Sequence, residues 1–153
     1  MKQETRNSRN LKCDTSPLAL WRCVGPCALD RSDQSNLCET MQHFELASES
    51  AWRIARKGDA GAAIGVAIRV GIKKRSSPQV VDLAMSAVLL CALKGDHVAM
   101  HFLAHILERR GAHALASSWA DASRSAAMNA TRGASPLQRQ KADYSAMSAV
   151  SRG

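Results

Sequence analysis

Residues 94–122 read KGDHVAMHFLAHILERRGAHALASSWADA, and their spacing decides the fold. Apolar residues fall at Val98, Ala99, Phe102, Leu103, Ile106 and Leu107. That is the i, i+3/i+4, i+7 spacing of one buried helical stripe, and it defeats a strand, whose period is two. Asp96 supplies the N-cap, because a short carboxylate accepts the orphan N–H groups of the first turn. Arg109 and Arg110 set cations at the negative end of the helix dipole, and Gly111 is the left-handed stop. A second helix follows, with Ala112, Leu115, Ala116, Trp119 and Ala122 on one side. Small residues there let two helix axes approach, while Trp119 fills the volume between them.

The stretch has an echo. Lys57-Gly58-Asp59 matches Lys94-Gly95-Asp96 at a shift of 37 residues, and Arg132-Gly133 follows Gly95 by 38. Three residues before each glycine stand Ala55, Ala92 and Ala130; nine after stand Ala67, Ala104 and Ala142. Small residues at fixed offsets around a glycine turn, repeated at such a period, are the mark of stacked helix pairs. Gly95, Asp96, Ala99, Leu103, Ala104, Gly111, Ala116, Trp119 and Ala120 together resemble tetratricopeptide-type repeats, in particular the Sel1-like branch, over roughly residues 44–122. Two features depart from that pattern: the unit lacks a long insert between Gly111 and Ala116, and the first copy carries Gly65 and Gly71 inside its second helix. The resemblance implies an antiparallel stack of helix-turn-helix units, a fragment of an α-solenoid, with a protein-binding role and no catalytic residue.

The rest of the chain is read into that frame. Asn36 and Glu39 have capping-box spacing, which predicts a first helix from Asn36 to Lys57 with Met41, Phe44, Ala51, Trp52 and Ala55 buried. A second helix, Ala60 to about Lys74, carries three glycines. Ser77-Pro78 is a cap with proline at the first helical position, opening an apolar third helix to Leu93 that should be central. Ser135-Pro136 repeats the signal and predicts a capping helix in an otherwise polar tail, 132–153. The expected fold class is therefore all-α with five to six helices: a segment lacking order at 1–35, a repeat domain at 36–131, and the tail.

Composition narrows the function. The net charge is +8, which invites a nucleic-acid reading. Its distribution argues otherwise: residues 1–36 hold six basic and four acidic side chains, 37–130 eleven and eight, and 131–153 four and one. No apolar run reaches the ~20 residues of a membrane span. Residues 17–29 make a poor secretory signal, because Arg22 interrupts the apolar patch. The cysteine pattern, with Cys23 and Cys27 spaced C-x3-C, fits no zinc module and reads as free thiols in a cytoplasmic protein; Cys91, among Val88, Leu89, Leu90 and Leu93, reads as core.

Three constellations could carry chemistry. His97, His101 and His105 share one line on a helix, a spacing at which imidazoles can share a transition metal, but they lie off the apolar stripe and read as a polar flank. Lys73-Lys74-Arg75 reads as dipole complement at a helix end, with no aromatic neighbour for stacking bases. No G-x-S-x-G, P-loop, G-x-G-x-x-G or H-E-x-x-H occurs, so neither an enzyme nor a cofactor is expected. The expected function is non-catalytic binding of a protein or peptide, as in an adaptor, a chaperone or a regulator of a bacterial secretion or signalling system. The alternative is a basic nucleic-acid-associated protein. By analogy with such stacks the partner-binding face should include Arg53, Arg56, Met85, Leu89 and Lys94, flanked by His101 and His105.

Overall fold

The computed structural model describes residues 16–73 and 76–133. Over these the protein is all-helical. A 3₁₀ helix, Pro17–Arg22, precedes α1 (Arg31–Gln42), α2 (Trp52–Ala55), α3 (Ala60–Ile72), α4 (Pro78–Leu93), α5 (His97–Arg109) and α6 (His113–Gly133). Of the expected tail, 132–153, residues 132–133 belong to α6; the predicted capping helix lies outside the described residues, as do 1–15 and Lys74 and Arg75 of the basic run.

The caps explain the boundaries. Asp59, Ser77 and Asp96 each accept a hydrogen bond from the backbone N–H three residues on, at 2.7, 3.4 and 2.8 Å, opening α3, α4 and α5. Gly58, Gly95 and Gly111 sit at φ of +100°, +97° and +80°, a region that side chains resist. At Gly95 the turn closes with the Asp96 N–H on the Cys91 carbonyl and the Gly95 N–H on the Ala92 carbonyl. The same pair of bonds recurs around Gly58 and Gly111, so all three are Schellman turns. Gly133, by contrast, lies within α6.

The 37-residue shift carries burial as well as turns. Trp52 and Leu89 are buried alike, as are Ala55 and Ala92, Val66 and Leu103, Ala67 and Ala104, and Val70 and Leu107. The helices that precede Gly58 and Gly95 differ in length: α4 has 16 residues and α2 only four.

Helix α4 is the centre. Every residue from Leu83 to Ala92 is buried. A helix apolar all round needs cover on every side, and α1, α3, α5 and the 3₁₀ helix supply it. Over residues 16–35 the 3₁₀ helix and the start of α1 stand in place of the expected lack of order. Leu18, Trp21 and Val24 are buried; a 3₁₀ helix eclipses side chains three apart, so Leu18 and Trp21 face α4 together. The Ser86 hydroxyl donates to the Leu18 carbonyl at 2.9 Å, and the Trp21 indole N–H donates to Asp82 Oδ1 at 3.0 Å.

A second correction concerns the first helix. It begins at Arg31, capped by Asp30 rather than Asn36, and it ends at Gln42 instead of running to Lys57. Glu49 turns inward in the 43–51 segment to meet Arg69 Nε at 2.7 Å and Lys73 Nζ at 2.8 Å. The Trp52 indole N–H takes the Phe44 carbonyl at 2.8 Å, and Phe44 itself is left exposed. Tertiary partners here override a continuous helical pattern. Trp119, the third enclosed tryptophan, donates to the Val24 carbonyl at 2.9 Å, tying α6 to the amino-terminal segment.

Candidate binding groove

Between α3 and α5, over α4, an open trough of about 620 Å³ runs along the surface. Its two walls come from positions 37 residues apart in the chain. Ile68 and Ile72 stand one turn apart on α3; His105 and Arg109, 37 residues on, stand one turn apart on α5. Met85 and Val81 of α4 form the floor, Phe102 and Ile106 continue the α5 wall, and Arg110 and Trp21 close one end. Ile72 is 74% exposed and Ile68 44%, so the apolar wall faces solvent. The Arg110 guanidinium lies 5.1 Å from the Trp21 ring centroid, and Arg22 lies 5.4 Å from it.

The structure thus brings together two of the seven expected partner residues, Met85 and His105. Leu89 is corrected: it is fully buried, because α4 is covered on every side. Arg56 lies outside this groove. Its guanidinium donates to the Gln42 and Phe44 carbonyls, both at 3.3 Å, and pairs with Glu45 at 3.0 Å, so it fastens the end of α1. Lys94 lines a separate opening with Arg56, Lys57, Cys38 and Gln42. The carboxyl-terminal ends of α1, α2 and α4 supply Gln42, Arg56–Lys57 and Lys94 to this opening, and cations complement the negative ends of three helix dipoles there. Arg53 is exposed on α2 and lines neither opening. His101 lines a shallower depression between α5 and α6, shared with His105, Glu108 and Ser117.

Ile68, Ile72, Arg109 and Arg110 escaped the sequence-based list of binding residues. One signal was available: Ile68 and Ile72 are large apolar residues one turn apart and off the buried Ala63–Val66–Val70 stripe of α3. The α5 stripe is also rotated from its expected place, with Met100 and Ala104 buried and Val98 51% exposed.

Cys27, Cys38 and Cys91 are free thiols, whereas Cys23 is disulfide-bonded, which corrects the reading of every cysteine as a free thiol. Burial pushes the Cys91 thiol up to about 11, as befits a core side chain. Among the described residues no three His, Cys, Asp or Glu side chains converge to hold a metal, and no helix is long and apolar enough to cross a membrane. Comparison with protein-family models, with curated proteins and with solved structures returns no match.

Proposed function

We propose that this protein is a non-catalytic helical adaptor that takes a protein or peptide segment in the α3–α4–α5 groove, and that α2–α3 and α4–α5 are two copies of one Sel1-like unit. The observation that carries this reading is the solvent-facing apolar wall of Ile68 and Ile72 over a floor of Met85 and Val81. Large side chains gain free energy when water leaves them, and a concave apolar surface of this kind suits an apolar segment. The Schellman turns at Gly58 and Gly95 and the matched burial, both at a shift of 37 residues, support the repeat.

Selection from a randomised peptide-display library tests the proposal, with the Ile72→Glu protein as counter-target. Enrichment of peptides with apolar residues at helical spacing, lost against Ile72→Glu, is the expected result. Absence of enrichment, or enrichment indifferent to the substitution, overturns it.

A further inference from the structure

The groove has a charge as well as a shape. Two arginines and a histidine line it, and no aspartate or glutamate does. The helices that form it, α3, α4 and α5, carry two acids, Asp82 and Glu108, and both are already committed. Asp82 accepts from the Trp21 indole at 3.0 Å and from Arg22 at 3.1 and 2.6 Å. Glu108 hydrogen-bonds His113 Nδ1 at 2.7 Å and lines the depression on the α6 side of α5. Neither Arg109 nor Arg110 has an ion-pair partner among the described residues. Arg110 is nonetheless positioned: its guanidinium lies over Trp21, a fully buried ring whose N–H is tied to Asp82, so the platform beneath it is fixed. A planar fork with unspent donors beside an apolar trough matches a carboxylate at the end of an apolar segment.

From this we infer that the groove's occupant is an acidic amphipathic helix: its apolar side lies on Ile68, Ile72 and Phe102, and a carboxylate one turn beyond is gripped by Arg109 and Arg110. The inference rests on the peptide-binding reading above and adds the chemistry of the partner. Both walls present side chains one helical turn apart, the ridge spacing that another helix packs into. Residues 16–133 hold fourteen basic and ten acidic side chains, and this excess favours an acidic partner at long range. A nucleic acid fits less well, because two guanidiniums make no phosphate track and the trough offers bases one part-buried ring, Phe102, Trp21 being fully buried.

The experiment is fluorescence anisotropy with labelled synthetic helical peptides of about 15 residues, a length at which helices become marginally stable. One carries leucines at i, i+4 and i+7 and a glutamate pair one turn further. A second has glutamine in place of each glutamate, and a third keeps the glutamates but replaces leucine by serine. A labelled single-stranded oligonucleotide is the fourth probe. The acidic amphipathic peptide should bind roughly three- to tenfold more tightly than its glutamine twin, the range of a partly exposed charge-assisted contact. Arg109→Gln, which leaves the Trp21 stack untouched, should remove most of that preference. Ile72→Ser should weaken both leucine peptides. Thermal melts of each variant establish that it folds, and Arg110→Lys separates charge from planar stacking.

Equal binding of the glutamate and glutamine peptides, still lost in Ile72→Ser, would refute the acidic partner while leaving the groove reading in place. Failure of every leucine peptide to bind would sink both. Preferential binding of the oligonucleotide through Arg109 and Arg110 would replace the peptide by a nucleic acid. Loss of stability in Arg109→Gln with an unchanged glutamate preference would reduce Arg109 to a complement of the α5 dipole and overturn its proposed role.

Discussion

Glu49 shows how one side chain can redirect a backbone. Its side chain is 3% exposed, yet it carries two charge partners, Arg69 and Lys73, each about half exposed. Hydrogen bonds from Lys73 first and Arg69 second hold its carboxyl below the ordinary value of 4.5, against the opposing effect of burial. A carboxylate whose folded pKa is depressed stabilises the protein above its unfolded pKa and loses that contribution as pH falls through the folded value. Glu49→Gln should therefore destabilise by about 1 kcal/mol at neutral pH, a figure discounted for the screening of the two half-exposed cations. The difference from wild type should shrink below pH 4.5 and vanish in stronger acid. Urea midpoints measured across a pH series check this. A difference that stays constant from neutral to acid pH would mean that the ionised carboxylate is not what fixes the 43–51 turn.

At the scale of elements, the legible parts were those fixed by local chemistry. Ser77-Pro78, Asp96 and Gly111 announce their caps and stops within a few residues, and α4 and α5 begin where those residues place them. The amino-terminal segment was illegible for the opposite reason. Its order comes from partners 60 to 95 residues away, namely Asp82, Ser86 and Trp119. A six-residue 3₁₀ helix offers no 3.6-residue period to read, and the capping pair Asn36–Glu39 competes in the sequence with Asp30–Asp33, which the structure uses. This yields a prediction about domain limits. A fragment spanning 36–133 lacks Leu18, Trp21 and Val24, and it leaves the Trp119 indole N–H without the Val24 carbonyl. It should be less stable than a 16–133 fragment by at least ~3 kcal/mol, the low end for truncating one buried tryptophan. Denaturant unfolding of the two fragments decides the matter, and coincident midpoints would show that the 3₁₀ segment merely rests on α4.

Across the whole molecule, the groove was half legible. Met85 and His105 are readable because the helical periods of α4 and α5 place them on neighbouring helices, whereas helix position alone does not tell what covers Leu89 or what Arg56 and Lys94 face. The same uneven cover bears on the charge of +8. Arg69 and Lys73 are offset by Glu49; Arg56, Lys57 and Lys94 gather at three helix ends; Arg109 and Arg110 sit apart, across the α3–α5 trough. These groups form no continuous track of the kind that follows a phosphate backbone. The expected outcome for labelled DNA and RNA titrated against the 16–133 fragment at two salt concentrations is therefore weak binding with a shallow salt dependence. Each neutralised duplex phosphate contributes a slope near −0.9 in log affinity against log salt, so a slope near −1 to −2 would mean one or two contacts. Full-length protein should bind more tightly than the fragment, since residues 1–15 and 134–153, which the fragment lacks, hold seven basic side chains and three acidic. A slope of about −5 or steeper for the fragment, made shallower by about 2 in the Lys57→Ala, Lys94→Ala double variant, would require a phosphate surface that includes the meeting of α1, α2 and α4 and would make nucleic-acid binding the better account of this protein.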